Sequence, residues 1–345
     1  MSDKIKGVGL LSGGLDSTLA IRIMLDQGIE VTALHFRTGF SYTERNRLVG
    51  QEPPGPTDAE RMAALLNVPL EVINVSDEFI SVVLNPRYGY GSGMNPCVDC
   101  RIFMLRRAKA WMEEHGYHFV FTGEVVGQRP KSQMQQTLIT VERQSGLTGY
   151  LLRPLSARLL PPTVPELRGW VDRERLYGIG GRGRKEQIAL AARLGITGYA
   201  QPSGGCCYLI DRNYSRRLKD FLHHPAEGRE ALNKEFVQLL AVGRHLRLPS
   251  GRRVVIGRHE GENEYLKHCG VQGVLLTTIE CPGPTTLVAG EPSRDEIELA
   301  ARITAGYSDG RNRAAVLVEI RHSDATVELM RVTPLPGDES HLWMV

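Results

Sequence analysis

The chain has 345 residues, of which 41% are apolar, and a formal net charge of +3 at pH 7. This composition excludes a largely disordered chain, and so mild a charge does not by itself require a nucleic-acid partner. The sequence has no run of about eighteen apolar residues, which excludes a membrane-spanning helix. The length favours two domains, and a first strand that starts almost at residue 1 leaves no room for a signal peptide, so we expect a cytoplasmic protein.

The first predicted elements are a buried strand over Ile5–Leu11 and a helix over Thr18–Leu25, joined by a tight turn. We call this turn, Ser12–Ser17, the glycine loop. Glycines at such a turn let backbone N–H groups close around an anion, and the helix N-terminus adds further donors. The loop lacks the lysine of a Walker A sequence. It is either an ordinary turn or a phosphate site, with candidate ligand-binding residues Ser12, Gly13, Gly14, Asp16 (for a metal) and Ser17.

A second strand is predicted over Glu30–Phe36. A strand, loop, helix and strand in this order predict a right-handed crossover in a doubly wound parallel sheet, an α/β fold. Ligands of such sheets bind outside the carboxyl ends of the strands, so His35 and Phe36 are expected near a nucleotide. Further along, we expect a loop over 38–56, a helix capped by Thr57 and a third strand over Leu70–Val75.

Two cysteines, Cys97 and Cys100, stand at the start of a predicted helix that continues over Ile102–His115. This spacing places both sulfur atoms on one side of the chain, and the helix dipole is expected to favour their thiolates. Three hypotheses remain open here: half of a metal or iron–sulfur site, a redox dithiol, or two buried thiols.

Polar and basic residues follow the next predicted strand, Phe119–Glu124. Gly123 and Gln128 fall at the ligand-facing edge, and Arg129 and Lys131 suit phosphate or RNA, unless the segment is only a solvated loop.

A basic, glycine-rich segment then precedes a helix over Glu186–Leu194, and this segment is either an RNA contact or a basic linker. Its candidate RNA contacts are Arg182, Arg184 and Lys185.

A third cysteine, Cys206, follows two glycines, which would let the backbone approach a metal closely. Together with Cys97 and Cys100 it makes three ligands. Structural zinc normally takes four, whereas a [4Fe–4S] cluster held by three cysteines leaves one iron open. Packing alone is the alternative for Cys206 and its neighbour Cys207, and the family resemblance described below makes Cys207 the second choice for the third position.

A basic amphipathic helix over 213–222 is expected to close the first domain, 1–225, and a smaller α+β domain to fill 226–345. Short runs there predict strands separated by turns, and Ser293 is predicted to cap a helix that ends near Tyr307. The predicted strands are Val237–Val242, His245–Leu248, Arg253–Gly257, Val274–Thr278, Leu287–Ala289, Val316–Arg321 and Thr326–Val332.

Several of these motifs resemble known families. Ser-Gly-Gly-Leu-Asp-Ser at 12–17 resembles the PP-loop of ATP pyrophosphatases, and Gly-Glu-x-x-Gly-Gln at 123–128 resembles the branch that holds the thiamine and 4-thiouridine synthases. Gly-Gly-Cys at 204–206 resembles the motif of 2-thiouridylase-like and cluster-dependent tRNA thiolation enzymes. The resemblance implies ATP and Mg²⁺ at the glycine loop and a [4Fe–4S] cluster on Cys97, Cys100 and Cys206. A persulfide on one of these cysteines is the alternative.

The C-terminal domain resembles the RNA-binding domain of NFACT proteins, through Val255–Glu264 and the helix from Ala300 to Tyr307. This resemblance implies RNA contacts by Arg258, Asn263 and Lys267.

Together the two resemblances predict ATP-dependent thiolation of a tRNA uridine, with the cysteines and Asp16 as catalytic residues. The expected partners are tRNA and a sulfur donor, either a cysteine desulfurase or free sulfide; a homodimer is allowed for, and no membrane is expected. Two other functions stay open: adenylation with sulfur or nitrogen transfer to a small molecule, and a non-catalytic RNA-binding protein that senses nucleotide.

Overall fold

The structure is a computed structural model that describes residues 4–200, 206–224 and 231–345. The chain divides into two compact units. One comprises Met1–Thr38 and Gly55–Cys206, and the other comprises Gly39–Pro54 and Cys207–Val345. In the described ranges, no helix is both long and apolar enough to cross a lipid bilayer.

The first unit is built on a five-stranded parallel sheet with the order β3-β2-β1-β4-β5, which confirms the predicted doubly wound α/β fold. Its central strand, β1, is buried along nearly its whole length, as expected for a strand covered by helices on both faces. The strands are β1 Lys6–Leu10, β2 Glu30–Arg37, β3 Leu70–Asn74, β4 Phe119–Phe121 and β5 Leu151–Leu152.

Helices cover both faces of this sheet and enclose two separate hydrophobic cores. Leu19 and Met24 of α1 lie in one core, and Leu105 of α5 and Val141 of α6 lie in the other. The α-helices of the unit are α1 Leu15–Asp26, α3 Asp58–Leu66, α4 Ser76–Leu84, α5 Cys97–Glu114, α6 Gln135–Ser145, α7 Val164–Leu167 and α8 Lys185–Arg193, and short 3₁₀ helices span Ala157–Leu159 and Arg173–Arg175.

The second unit contains a six-stranded antiparallel sheet with the order β11-β10-β8-β9-β7-β6 and helices packed against it, as the predicted α+β domain requires. Its strands are β6 Arg244–Arg247, β7 Arg253–Ile256, β8 Gly273–Thr278, β9 Thr285–Ala289, β10 Val316–Arg321 and β11 Val327–Val332. Its helices are α2 Tyr42–Leu48, the 3₁₀ helix Tyr208–Ile210, α9 Arg212–His223, α10 Lys234–Leu239, α11 Glu260–His268, α12 Arg294–Gly306 and α13 Gly337–His341.

Two predicted elements were wrong. The segment predicted as a loop over 38–56 contains α2, whose first turn is closed by a capping box between Ser41 and Glu44. The predicted strand Val237–Val242 is instead the end of α10 and the turn after it, because the Asn233 side chain caps a helix there. Short apolar runs suit a helix or a strand equally well, so periodicity could not separate the two.

The compact units also divide the chain elsewhere than at residue 225. The helix predicted to close the first domain, α9, belongs to the second unit because its side chains bind α10 and the turn after it. Tyr214 Oη donates to the Val237 carbonyl, and the ring of Phe221 packs at a tilt against that of Phe236.

The end of β4 lies directly against the glycine loop, and this contact yields a first prediction. A Cβ on Gly123 would overlap the backbone of Asp16, so Gly123→Ala must displace the first turn of α1. We expect the substitution to lower the free energy of unfolding by about 1–3 kcal/mol, as overpacking typically does. Denaturant unfolding of the purified variant measures the change.

Gly55→Ala is the matched control, because a Cβ there would meet open space. Equal unfolding midpoints for the two variants would show that β4 does not press against the loop.

Candidate active site

The glycine loop is held from outside by backbone contacts. Gly13 has φ of +80°, and a Cβ there would overlap Asp58 at the start of α3, so this position requires glycine twice over. The Ala200 amide donates to the Gly13 carbonyl at 3.1 Å. These contacts fix the path of the loop between β1 and α1.

The N-terminus of α1 is open toward the loop. Gly14 is its N-cap residue and, unlike the caps of α2 and α3, it offers no side-chain acceptor to the first amides of the helix. Beside these amides, the hydroxyl oxygens of Ser12 and Ser17 lie 3.2 Å apart. Uncapped amides and paired hydroxyls together provide donors suited to a phosphate group.

Asp16 and Gln128 form a partly buried pair beside the loop. Gln128 Nε2 donates to Asp16 Oδ2 at 2.9 Å. In the part of the chain that the structure describes, the other oxygen of each side chain, Asp16 Oδ1 and Gln128 Oε1, is buried with no hydrogen-bond partner. Buried oxygens are rarely left unsatisfied, and oxygen ligands are the ones that Mg²⁺ prefers. The donor set therefore fits the Mg²⁺ that the sequence implied.

Two arginines lie within electrostatic reach of this pair. Burial raises the pKa of Asp16 above its usual value, while Gln128 and then the charges of Arg184 and Arg129 act in the opposite direction. Both arginines were predicted as RNA contacts, and their position beside Asp16 also suits the phosphates of a nucleotide. Of the other basic candidates nearby, Lys131 donates to the Tyr90 carbonyl at 2.6 Å, and Arg182 and Lys185 are exposed.

His35 and Phe36 lie at the carboxyl end of β2, as predicted. His35 Nδ1 lies 2.9 Å from the Leu11 carbonyl, so the ring donates a hydrogen bond there and supports the strand that leads into the glycine loop. Phe36 is half-buried against the core that contains α5. Both side chains thus have structural contacts, which leaves the backbone at this edge as the candidate adenine-binding group.

Cys97 is the first residue of α5, and Cys100 lies one turn further along. Asn95 Nδ2 approaches Cys97 Sγ at 3.1 Å. Burial, and then the neighbouring Cys206, raise the pKa of the Cys100 thiol well above its usual value. The expectation that the helix dipole would favour the thiolate was therefore wrong for Cys100, because desolvation outweighs the dipole.

Cys206 is exposed, and it acts electrostatically on both Cys100 and Arg101. Cys207 acts instead on Tyr208 and Tyr214, which favours Cys206 as the third cysteine of the site. Gly204 and Gly205 lie outside the described residues. Within the described ranges, no three His, Cys, Asp or Glu side chains are arranged to hold a metal ion. The three thiols are thus neighbours but are not placed as a closed set of ligands.

An ion network connects the cysteine-bearing start of α5 to the end of β4, and its members were not among the site residues predicted from the sequence. Arg101, the residue after Cys100, pairs with Glu124 at 3.4 Å, and Arg153 pairs with the same carboxylate at 3.1 Å. Glu124 is 1% exposed. A basic residue directly after Cys-x-x-Cys and an acidic one directly after Gly123 were the available signals, but only the fold shows that they meet.

The predicted RNA contacts of the second unit all have partners within that unit. Arg258 forms an ion pair with the fully buried Glu262. Asn263 Oδ1 accepts from the Thr285 amide at 2.9 Å, and Lys267 pairs with Glu264. Their contact with RNA stays a prediction.

Comparisons with known proteins agree with the two-part organisation of the chain. Residues 6–165 match the family model of the tRNA methyl transferase HUP domain, and residues 243–344 match that of the NFACT protein RNA binding domain.

Similar curated proteins carry the name tRNA-specific 2-thiouridylase MnmA. The protein from Geotalea uraniireducens (strain Rf4) is 24% identical over 321 residues, which cover 89% of this chain and 75% of that protein. The one from Thermotoga neapolitana is 25% identical over 352 residues, covering 94% and 92%. The one from Syntrophotalea carbinolica is 33% identical over 117 residues, which cover 33% of this chain and 32% of that protein.

Similar solved structures include a 4-thiouridine synthetase–RNA complex with bound ATP, with 23% identity, a TM-score of 0.35 and coverage of 55% of this chain and 40% of that one. With a TM-score this low, it adds no evidence on fold or function. The family matches and the curated relatives agree with the glycine loop on its parallel sheet: the N-terminal part of this chain is similar to the PP-loop enzymes of the tRNA-thiolation group, and residues 243–344 are similar to the NFACT protein RNA binding domain.

Proposed function

We propose that this protein is an ATP-dependent tRNA sulfurtransferase, which adenylates a uridine carbonyl oxygen of tRNA and then replaces that oxygen by sulfur. One observation carries the proposal: two successive residues after β4 join the phosphate site to the cysteines. Gly123 packs against the backbone of Asp16, and Glu124 pairs with Arg101, the neighbour of Cys100. A nucleotide site and a sulfur site that are connected in this way suit a reaction in which adenylation is followed by sulfur transfer.

In the first step, the uridine oxygen attacks the α-phosphorus of ATP. A new P–O bond forms, the bond to the β-phosphate breaks, and pyrophosphate leaves while the uridine N3 proton is released. The open N-terminus of α1 and the hydroxyls of Ser12 and Ser17 bind the charge on the phosphates. Asp16 and Gln128 would hold Mg²⁺, which when bound offsets the negative charge of the triphosphate.

In the second step, a hydrosulfide attacks the activated ring carbon. A C–S bond forms, the C–O bond breaks, AMP leaves with the former uridine oxygen, and the proton of the hydrosulfide ends on N3. The guanidinium of Arg101 lies beside the cysteines and contributes positive charge where anionic sulfur must be held. Glu124 and Arg153 keep this guanidinium in place.

For the sulfur carrier we propose a [4Fe–4S] cluster on Cys97, Cys100 and Cys206. The support for this carrier is the Cys-x-x-Cys and Gly-Gly-Cys spacing and the electrostatic influence of Cys97 and Cys206 on Cys100. When bound, the cluster would supply an iron with an open coordination position. In the alternative, a cysteine persulfide donates its outer sulfur and a second cysteine closes a disulfide, so that each turnover consumes a reductant. The sulfur donor, a homodimer and the cytoplasmic location stay predictions.

The adenylation step is tested with Asp16→Asn. Because the substitution removes the carboxylate that would hold Mg²⁺, we expect the exchange of pyrophosphate into ATP in the presence of tRNA to fall by about 100-fold or more. Asp26→Asn, at the far end of the same helix, is the control and should keep the exchange rate. Exchange that proceeds without tRNA would favour a small-molecule substrate, and no exchange in the wild type would favour a nucleotide-sensing protein.

The cluster is tested by separate substitution of Cys97, Cys100 and Cys206 with alanine. After anaerobic reconstitution with iron and sulfide, the wild type should absorb broadly in the visible range, and each variant should lose this absorption together with thiolated uridine in its tRNA, measured by nucleoside mass spectrometry. Cys269→Ala is the control, since Cys269 lies in the other compact unit. Thiolation by a protein that binds no iron, still dependent on these cysteines, would establish the persulfide instead.

The buried network is tested with Glu124→Gln. Breaking a buried ion pair leaves Arg153 partly uncompensated, so we expect a loss of about 3–5 kcal/mol in the free energy of unfolding at neutral pH. Glu113→Gln, which removes an exposed pair with Lys109, should cost less than about 1 kcal/mol.

The same variant has a defined pH signature. Burial alone would raise the pKa of Glu124, but Arg153 and Arg101 outweigh it, so the folded pKa lies below the usual value of 4.5. This carboxylate therefore stabilises the fold above that value, and the contribution disappears as pH falls through the folded pKa. Stability of the wild type should fall more steeply below pH 4.5 than that of Glu124→Gln; parallel curves would refute the assignment.

A further inference from the structure

The second unit contains a small polar cleft that the reaction described above does not use. Its volume is about 100 Å³, and residues of α2 and α9 and the segment before α11 line it. Three arginines face it: Arg45 from α2, Arg217 from α9 and Arg258. Neither Arg45 nor Arg217 lies within residues 243–344, the range that matches the RNA binding domain.

Two of these arginines are held by uncharged partners. Arg45 Nε donates to the Ala241 carbonyl at 3.0 Å, and Arg217 donates to the carbonyls of Leu240 at 3.2 Å and Gly243 at 2.9 Å. Backbone carbonyls fix the direction of a guanidinium but leave its charge in place. Arg258 differs, because the buried carboxylate of Glu262 pairs with it.

Few acidic side chains line the cleft to balance the positive charges of its arginines. Asp211 is the acidic residue that lines it, and its carboxylate already caps α9 by accepting the Tyr214 amide at 2.8 Å. Burial, and then repulsion from Arg258, lower the pKa of Arg217 to about 10. Arg217 Nε is also buried without a hydrogen-bond partner among the described residues. Such an arrangement costs stability unless an anion occupies the cleft.

We propose that this cleft binds one backbone phosphate of the tRNA. Guanidinium groups are well suited to phosphate oxygens because they donate paired hydrogen bonds in one plane. A cleft of about 100 Å³ has room for one phosphate group. The inference rests on the proposed function for its choice of RNA, and it extends the RNA-binding surface to α2.

The test compares Arg45→Gln and Arg45→Lys in the full-length protein. Both variants lose the guanidinium Nε–H that donates to Ala241, but only the first loses the charge. Arg47→Gln is the control, because Arg47 lies on the same helix and does not line the cleft. The measured quantity is the affinity for unmodified tRNA as a function of salt concentration. Losing one phosphate contact should reduce the slope of log affinity against log salt by about 0.7–0.9 and weaken binding about fivefold at physiological salt.

We expect this reduction for Arg45→Gln and wild-type slopes for Arg45→Lys and Arg47→Gln. Tight tRNA binding by Arg45→Gln with an unchanged salt slope would overturn the assignment of the cleft as a phosphate site, but it would not affect the proposed function. Failure of the wild type to bind tRNA would overturn both. An ATP titration separates the source of the phosphate, since a loss of ATP affinity in Arg45→Gln with tRNA binding intact would assign the cleft to the nucleotide.

Discussion

The constraint on which the site depends is the close approach of β4 to the first turn of α1. Gly123 has no side chain because the backbone of Asp16 occupies the space where one would lie. Near the same contact, Gln128 donates a hydrogen bond to Asp16, and Glu124 forms an ion pair with Arg101. Since parallel strands end at one edge of a sheet, the neighbouring strands β1 and β4 bring the proposed phosphate-binding residues and the proposed sulfur-binding residues to the same edge. A larger residue at position 123 would separate the two.

Burying a carboxylate between two arginines is costly, and it needs a reason beyond stability. A well-packed apolar set of similar volume would often be as stable as an ion pair in this position. The ion pairs do fix the orientation of the side chains. Arg153 is held by Glu142 and the Leu138 carbonyl as well as by Glu124, so the Glu124 carboxylate has one orientation. Because Arg101 pairs with this carboxylate, its guanidinium is also fixed in direction near the start of α5. A charged residue so fixed can act on anionic sulfur without reorganising during the reaction.

The sequence predicted this architecture well where one residue pattern allows one structure. The glycine loop between an apolar strand and a helical run predicted β1, α1 and the parallel sheet, and Thr57 and Ser293 predicted the starts of α3 and α12 correctly. It failed where a pattern allows two structures. Val237–Val242 is apolar without a clear period, and only the Asn233 cap makes the run before it a helix.

The pairing of Glu124 with Arg101 could not be predicted either, because no rule of local spacing relates residues on different elements. Nor could burial be estimated at the cysteines. A helix N-terminus lowers a thiol pKa only where desolvation is the smaller effect, and at Cys100 burial is the larger one and raises the pKa.

The positions of charged residues in the fold carry information that their totals in the sequence do not. With 42 basic and 39 acidic residues the chain is nearly balanced, and the balance suggests no particular partner. In the folded protein, however, the acidic and basic groups are not paired evenly. Arg129 and Arg184 act on Asp16 of the glycine loop, whose Oδ1 is buried with no hydrogen-bond partner among the described residues. Arg45 and Arg217 line a polar cleft and donate to backbone carbonyls. Arginines are therefore concentrated at two places that the balanced composition does not indicate, one in each compact unit.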